Sequence, residues 1–340
     1  MDDRAEFRNQ YLDDRADSIN RWLTVIAVVL GIFALLVPAA GYFGYRKFLS
    51  GVEDEARKSL DKIKAHEEEA EEAVKTLRQA TSEDAADPAK AEQVEKAVET
   101  VLQTPEASLI DKAIALAHSL QKAGETEKAI EQWRSIAHLM EGVDNRIATH
   151  AWFSVGYLLS ESKNPIEAIS AYDQAIRLDP GNSAAYNNRG GAKGDLGQHK
   201  EAIKDFDEAI RLDPSNSVAY GNRGGAKVNI GQHEEAIQDC DLAIRLNPED
   251  SAAYCSRGLA KASMQQYEAA IQDYNEAIRL NPKYSAAYYS RGLAKPLLGR
   301  IDEARSDLQT ALRLAKEEGN EKLVTAITDA LRLIDNPETK

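Results

Sequence analysis

Sulfur chemistry is nearly missing from this chain. Its 340 residues hold two cysteines, Cys240 and Cys255, too few for a fold stapled by disulfides. Both fall inside regular repeats, where a free thiol packs as a small hydrophobe. Basic charge is short as well: 42 lysines and arginines face 56 acids, and the net charge of −14 argues against a nucleic-acid partner. Aromatics make up only 6%, and an alanine-, glutamate-, leucine- and lysine-rich chain of that kind suits helices. No Cys/His spacing suggests a metal site. The glycine cluster Gly190-Gly191-x-x-Gly194 has no strand before it, so it is not read as a phosphate loop. His199 and His233 take a helix-starting packing position. These absences leave an enzyme without catalytic residues, and no cofactor is expected.

One long apolar run is present. Residues 1–21 form a polar tail with six acids and the arginines Arg4, Arg8, Arg15 and Arg21. Trp22 to Tyr45 then runs 24 residues without a charge. As a helix it would be about 36 Å long, enough to cross a hydrocarbon core of roughly 30 Å. Trp22 stands at one end and Tyr42, Phe43 and Tyr45 at the other, where interfacial aromatics belong. A cleaved leader would have a short basic start and a small-residue exit. This one starts long and acidic, so residues 22–45 are expected to be a single transmembrane helix. Arg46, Lys47, Arg57, Lys58, Lys62 and Lys64 follow closely and favour a cytoplasmic repeat domain, although an anchor of the opposite orientation uses the same parts.

Residues 46–104 read as charged stalk helices with a hinge. In the juxtamembrane helix 46–80, Leu49, Ala56, Leu60, Ile63, Ala70, Val74 and Leu77 follow alternating three- and four-residue steps that Glu53 and Glu67 interrupt. A weak coiled coil, and with it a homo-oligomer, fits that pattern; so does a solvated stalk. Residues 81–88 read as a hinge, with Pro88 opening a helix whose stripe is Val94, Ala97, Val98, Val101 and Leu102. Thr104-Pro105-Glu106 reads as the next helix start.

From Thr149 to Glu318 the chain repeats itself five times at a period of 34 residues. Trp152, Tyr186, Tyr220, Tyr254 and Tyr288 are each followed four residues on by Gly156, Gly190, Gly224, Gly258 and Gly292. Alanines return at Ala168, Ala202, Ala236, Ala270 and Ala304. Pro180, Pro214, Pro248 and Pro282 close four of the units. A fixed period of this length predicts a stack of helix pairs rather than one closed core. In the unit 183–216 the spacing predicts helices over 183–196 and 199–212, parted at Gly197. Gln265 stands where other units have Gly231 and Gly299, so its turn should be strained or differently shaped. Pro296 should shorten or kink the first helix of the last unit. A worn unit precedes the array at 110–143, with Ala117, Gly124, Ala129 and Trp133 in the places of Gly156, Lys163, Ala168 and Tyr172. Residues 319–335 should form a closing helix, with Leu323, Val324, Ile327, Ala330, Leu331 and Ile334 over the last repeat. Residues 336–340 are a tail.

This pattern of aromatic, glycine, alanines and proline resembles the tetratricopeptide repeat (TPR) family. The resemblance implies an all-α solenoid, antiparallel helix pairs in a right-handed superhelix over 105–318, and no catalysis. It also implies a concave groove for peptides or partner helices, lined by the second, fifth, sixth, ninth and twelfth residues of each unit. The fifth and sixth residues are Asn187 and Asn188, Gly221 and Asn222, Cys255 and Ser256, then Tyr289 and Ser290. The ninth are Gly191, Gly225, Leu259 and Leu293. The chaperone-tail-binding members of the family carry lysine at the fifth residue and asparagine at the ninth, a signature absent here.

Two further regularities concern charge. Arg189, Arg223, Arg257 and Arg291 lie 16 residues before Asp205, Asp239, Asp273 and Asp307. Units that lack the arginine lack the aspartate too (Leu116 with Gln132, Val155 with Ala171), which predicts a structural ion pair within or between units. Lys193, Lys227, Lys261 and Lys295 read as solvated. The expected function is a membrane-anchored adaptor or scaffold binding a protein partner; the alternative is a structural assembly built through anchor and stalk.

Overall fold

The computed structural model describes Glu69, residues 71–77, Ala80, 88–104 and 108–335. The expected anchor at 22–45, most of the stalk and both tails lie outside these residues. No helix among the described residues is long and apolar enough to cross a membrane. The described residues from Ala73 onward belong to one compact unit, and they are all-α.

The first helix, α1 (Pro88–Gln103), opens on its proline as expected. It buries Ala97 and Val101, while Leu102 at the edge of the stripe is exposed. Ala73 and Leu77, read in the sequence as stalk, are buried in the same core as Ala97, Val101 and Ile114. That end of the stalk is therefore a packed start to the array. Thr104 is not a helix start: its N–H donates to the carbonyls of Thr100 and Val101, finishing α1. The next helix, α2 (Leu109–Lys122), begins later, where the Ser108 side chain accepts from the Asp111 N–H.

Pairs of helices then follow in order. With α2, α3 (Thr126–Met140) forms the worn pair; α4 (Asn145–Glu161) pairs with α5 (Pro165–Leu178), and α6 (Ser183–Asp195) with α7 (His199–Leu212). Further on come α8 (Ser217–Asn229) with α9 (His233–Leu246), α10 (Ser251–Ser263) with α11 (Tyr267–Leu280), and α12 (Ser285–Ala294) with α13 (Ile301–Glu317). Pro296 shortens α12 as predicted, and Lys295–Leu298 continues as a tighter 3-10 turn. The closing helix α14 (Glu321–Asp335) buries Ile327 and Ala330 against Leu308, Ala311 and Ala315.

Each pair of the regular array closes because one helix has a glycine where the other presents its side chain. A methyl group built on Gly156, Gly190 or Gly258 would meet the ring of Tyr172, Phe206 or Tyr274 at 2.6–2.7 Å. Gly292 faces Leu308 and Gly224 faces the smaller Cys240 in the same manner. Between repeats, Asp179, Asp213, Asn247 and Asn281 each accept from the N–H two residues on, the Asx turn that folds the chain over its proline.

Within each pair the turn needs one left-handed residue. Gly124, Gly197, Gly231 and Gly299 supply it with φ of 74–81°. Lys163 and Gln265 are forced into the same region, at φ 57° and 61°. The residue after each sends its N–H back to the helix, as Gln198 does to the Lys193 carbonyl and Gln266 to that of Lys261. A side chain in this conformation costs about 1–2 kcal/mol, which glycine avoids at the expense of a floppier unfolded chain. Gln265→Gly should therefore raise stability by about 1 kcal/mol, read as a higher denaturant midpoint at unchanged slope.

Candidate functional site

The first helices of the pairs carry the groove side chains, and their exposure sorts them into two groups. Asn187 and Cys255 are buried, at 8% and 3% exposure, and Gly221 is buried too. In these three units the fifth residue thus faces the junction with the next repeat, whereas the fifth residue of the last unit, Tyr289, is half-exposed. A methyl on Gly221 would lie 3.8 Å from Ala253 in α10. The Cys255 thiol hydrogen-bonds Tyr284, and burial pushes its pKa up to about 11. Asn222 donates to the Asn187 carbonyl oxygen at 3.1 Å, and Asn187 donates to that of Asn188 at 3.0 Å. An amide chain therefore joins two repeats along the lining.

The sixth and ninth residues are accessible. Asn188, Gly191, Gly225, Ser256 and Ser290 are half-exposed, and Asn222 is exposed. Leu259 and Leu293 are 39% and 44% exposed, and Leu297, on the turn after α12, is 60% exposed. The lining thus passes from amides and glycines in 183–250 to leucines in 251–298. Sequence periodicity missed a cleft of about 520 Å³ at the 149–182 end, lined among others by Arg146, His150, Phe153, Leu178 and Ala184. It arises because α4 starts at Asn145, a turn earlier than the later first helices, on an Asp144 cap.

Beside the groove runs a polar ladder. Arg189 grips Asp205 with two bonds (Nε–Oδ2 2.9 Å, Nη2–Oδ1 2.6 Å), and its Nη1 donates to Asp173 of the preceding repeat at 2.6 Å. Arg223 repeats this with Asp239 and Asp207, and Arg257 with Asp273 and Asp241. Arg291 grips Asp307 and donates to Asn275. The expected pair is therefore both within and between units. Each guanidinium also lies 5.2–5.5 Å from the centroid of its repeat's tyrosine, which explains Tyr186, Tyr220, Tyr254 and Tyr288. Burial works against the charge on Arg189, yet its bonds to Asp205 and Asp173 raise its pKa.

The lysines are not solvated. Lys193, Lys227, Lys261 and Lys295 reach Asp205, Asp239, Asp273 and Asp307 at 2.7–2.8 Å. One helical turn separates each lysine from its arginine, so both lie on the face toward the aspartate. In the repeat 149–182, Val155 and Ala171 leave the pair out and are buried. There Trp152 packs edge-on to His138 at 4.9 Å, beside a cleft of about 360 Å³.

Repeated helix pairs, a small-residue seam and an accessible first-helix face define a helical-repeat scaffold. Family profiles for the tetratricopeptide repeat match 183–216 and 251–284, and also 149–182, 217–250 and 285–318, together half of the chain. The chain belongs to the tetratricopeptide repeat family. No curated protein matches it. Among solved structures, MamA is 30% identical over 49% of this chain and 97% of its own, with a TM-score of 0.41. A thermophilic TPR protein of Thermus thermophilus is 20% identical over 55% of this chain and all (100%) of its own, at 0.50. The APC/C hetero-tetramer Cut9–Hcn1 is 18% identical over 74% and 47%, at 0.61. The last two share the fold.

The ladder sets a sharp contrast between two carboxylates on one arginine. Asp239 is 3% exposed, and Asp239→Ala strands Arg223 and Lys227, so it should cost about 3–5 kcal/mol. Asp207 holds the same Arg223 from an exposed position, so Asp207→Ala should cost under about 1 kcal/mol. Denaturant unfolding of both variants measures the difference.

Proposed function

We propose that the chain is a membrane-anchored adaptor that retains a protein segment on the first-helix face of its repeats. The observation that carries the reading is the row of exposed leucines, Leu259, Leu293 and Leu297, continuing the amide lining of Asn188 and Asn222. Amides bond a peptide backbone without demanding charge, and exposed leucines offer apolar anchors. Every cation on the first helices from 183 to 298 is engaged by a buried aspartate. An acidic tail therefore finds no clamp, and an extended, apolar, near-neutral segment fits better. The uncharged run 22–45 supplies the membrane tether, and the basic residues after it favour a cytoplasmic array.

Photocrosslinking from position 259 or 293 should give one discrete adduct, with none from position 201 on the exposed side of α7. Leu259→Asp with Leu293→Asp should weaken retention of that partner more than about tenfold, or ~1.4 kcal/mol, with unchanged helicity. Equal adducts from both faces, or retention that survives the double substitution, would sink the groove. Resistance to carbonate extraction tests the tether, and protease access to the C-terminus in sealed vesicles tests the side.

A further inference from the structure

The repeat 149–182 keeps the position of the ladder without its charges. Trp152 stands where Tyr186, Tyr220, Tyr254 and Tyr288 each receive a guanidinium. Val155 takes the place of the arginine and Ala171 that of the inner aspartate. The outer place, held by Asp173, Asp207 and Asp241 before later repeats, carries the opposite sign. Counted from Trp133, the counterpart of Tyr172, it falls on Arg134. Where the other repeats hold a guanidinium, α3, α4 and α5 here leave the cleft of about 360 Å³, walled by Arg134, Trp152, Glu167 and Ser170 over Val155 and Ala171. The Trp152 side chain is 9% exposed, and its Nε1–H is buried with no acceptor among the described residues. A buried donor without a partner favours any acceptor that can reach it.

We propose that this cleft binds the carboxylate of an aspartate or glutamate side chain from a protein partner, held between the Arg134 guanidinium and the Trp152 indole N–H. A cation is the poorer fit, because the inner carboxylate is missing and Arg134 would repel it. Arg134 Nη2 donates to Glu167 at 2.7 Å, and the guanidinium fork has further N–H groups for a second acceptor. Unlike the cations of 183–298, Arg134 is held by an exposed glutamate, not by a buried aspartate, and such a surface pair is easily parted. Bonds from Arg134 and Asn164 keep the Glu167 carboxyl below the usual carboxylate range, so it competes for the fork at neutral pH. The rim points to a protein segment as the source. Ile166, one turn before Ser170, is 70% exposed where other units have Lys200, Glu234, Glu268 and Asp302. Leu139, next to His138, is exposed as well. Apolar residues flanking the acidic one would cover both.

Fluorotryptophan in the full chain reports on the cleft directly by fluorine NMR. Trp152 lines it, Trp133 in the adjoining core serves as an internal control, and Trp152→Phe assigns the resonance. A capped leucine–glutamate–leucine peptide should move the Trp152 resonance saturably and leave that of Trp133 in place. Its glutamine analogue, and free glutarate, should bind at least about tenfold more weakly. Arg134→Met, at a half-exposed position that leaves the core untouched, should weaken the glutamate peptide about tenfold. Glu167→Gln removes the competing charge and should tighten it several-fold. No saturable shift at Trp152, or an equal response to the glutamine peptide, would overturn the proposal. So would glutarate binding as well as the peptide, which would make the cleft a small-anion site, or Arg134→Met without effect.

Discussion

Two helices in every regular repeat touch through a missing methyl group, and the rest of the array depends on that contact. A β-carbon at Gly190 would stand 2.7 Å from the Phe206 ring, a separation that packed carbon atoms do not adopt. The glycine thus lets a ring lie across the partner helix, and the ring fixes how the pair meets its neighbours. Varying the residue opposite the glycine tunes each repeat without disturbing its backbone. Tyrosine, phenylalanine and leucine fill that place in four repeats; cysteine in 217–250 keeps the backbone geometry and gives up most of the apolar burial.

Stability is therefore supplied by different means along the stack. The N-terminal part is a conventional apolar core around Trp133, Phe153 and Tyr172, with the stalk residues Ala73 and Leu77 added to it. From Arg189 onward an ion-pair ladder takes over much of the task. Buried pairs seldom beat an apolar isostere in net stability, because both charges must leave water. What the ladder contributes is register: an arginine held by two bonds to one aspartate, a third bond to the preceding repeat and a tyrosine face has one arrangement only. It begins where Val155 and Ala171 end the apolar alternative, and at its far end Asn275 replaces the outer carboxylate while Glu303 approaches Lys295 at 3.3 Å.

Much of this is readable in the sequence because the period is strict. The repeat bounds, the strained turn at Gln265, the shortening at Pro296, the closing helix and the joint loss of arginine and aspartate in 149–182 all follow from comparing equivalent positions. Burial within a repeating position is harder to read. Lys193 looks solvated until the helix turn that places it with Arg189 over Asp205 is considered. Asn187 and Cys255 look like groove residues until the junction they face is seen. The clefts near Phe153 and Trp152 arise where the period lapses, so nothing in the repeat pattern points to them. Thr104 and Pro105 imitate a helix start closely enough to hide the real one at Ser108.

The ladder also bears on what the concave face can accept. Each first helix in 183–298 carries one arginine and one lysine, and all eight reach inward to an aspartate. The cations are spent on holding repeats in register, which leaves a lining of amides, glycines, serines and leucines on a chain of net charge −14. An acidic partner would meet long-range repulsion and no local cation, whereas a near-neutral apolar segment meets neither obstacle. The same residues that determine how the repeats stack therefore also narrow what they can bind, and a lysine freed from its aspartate to serve the groove would loosen the stack that presents it.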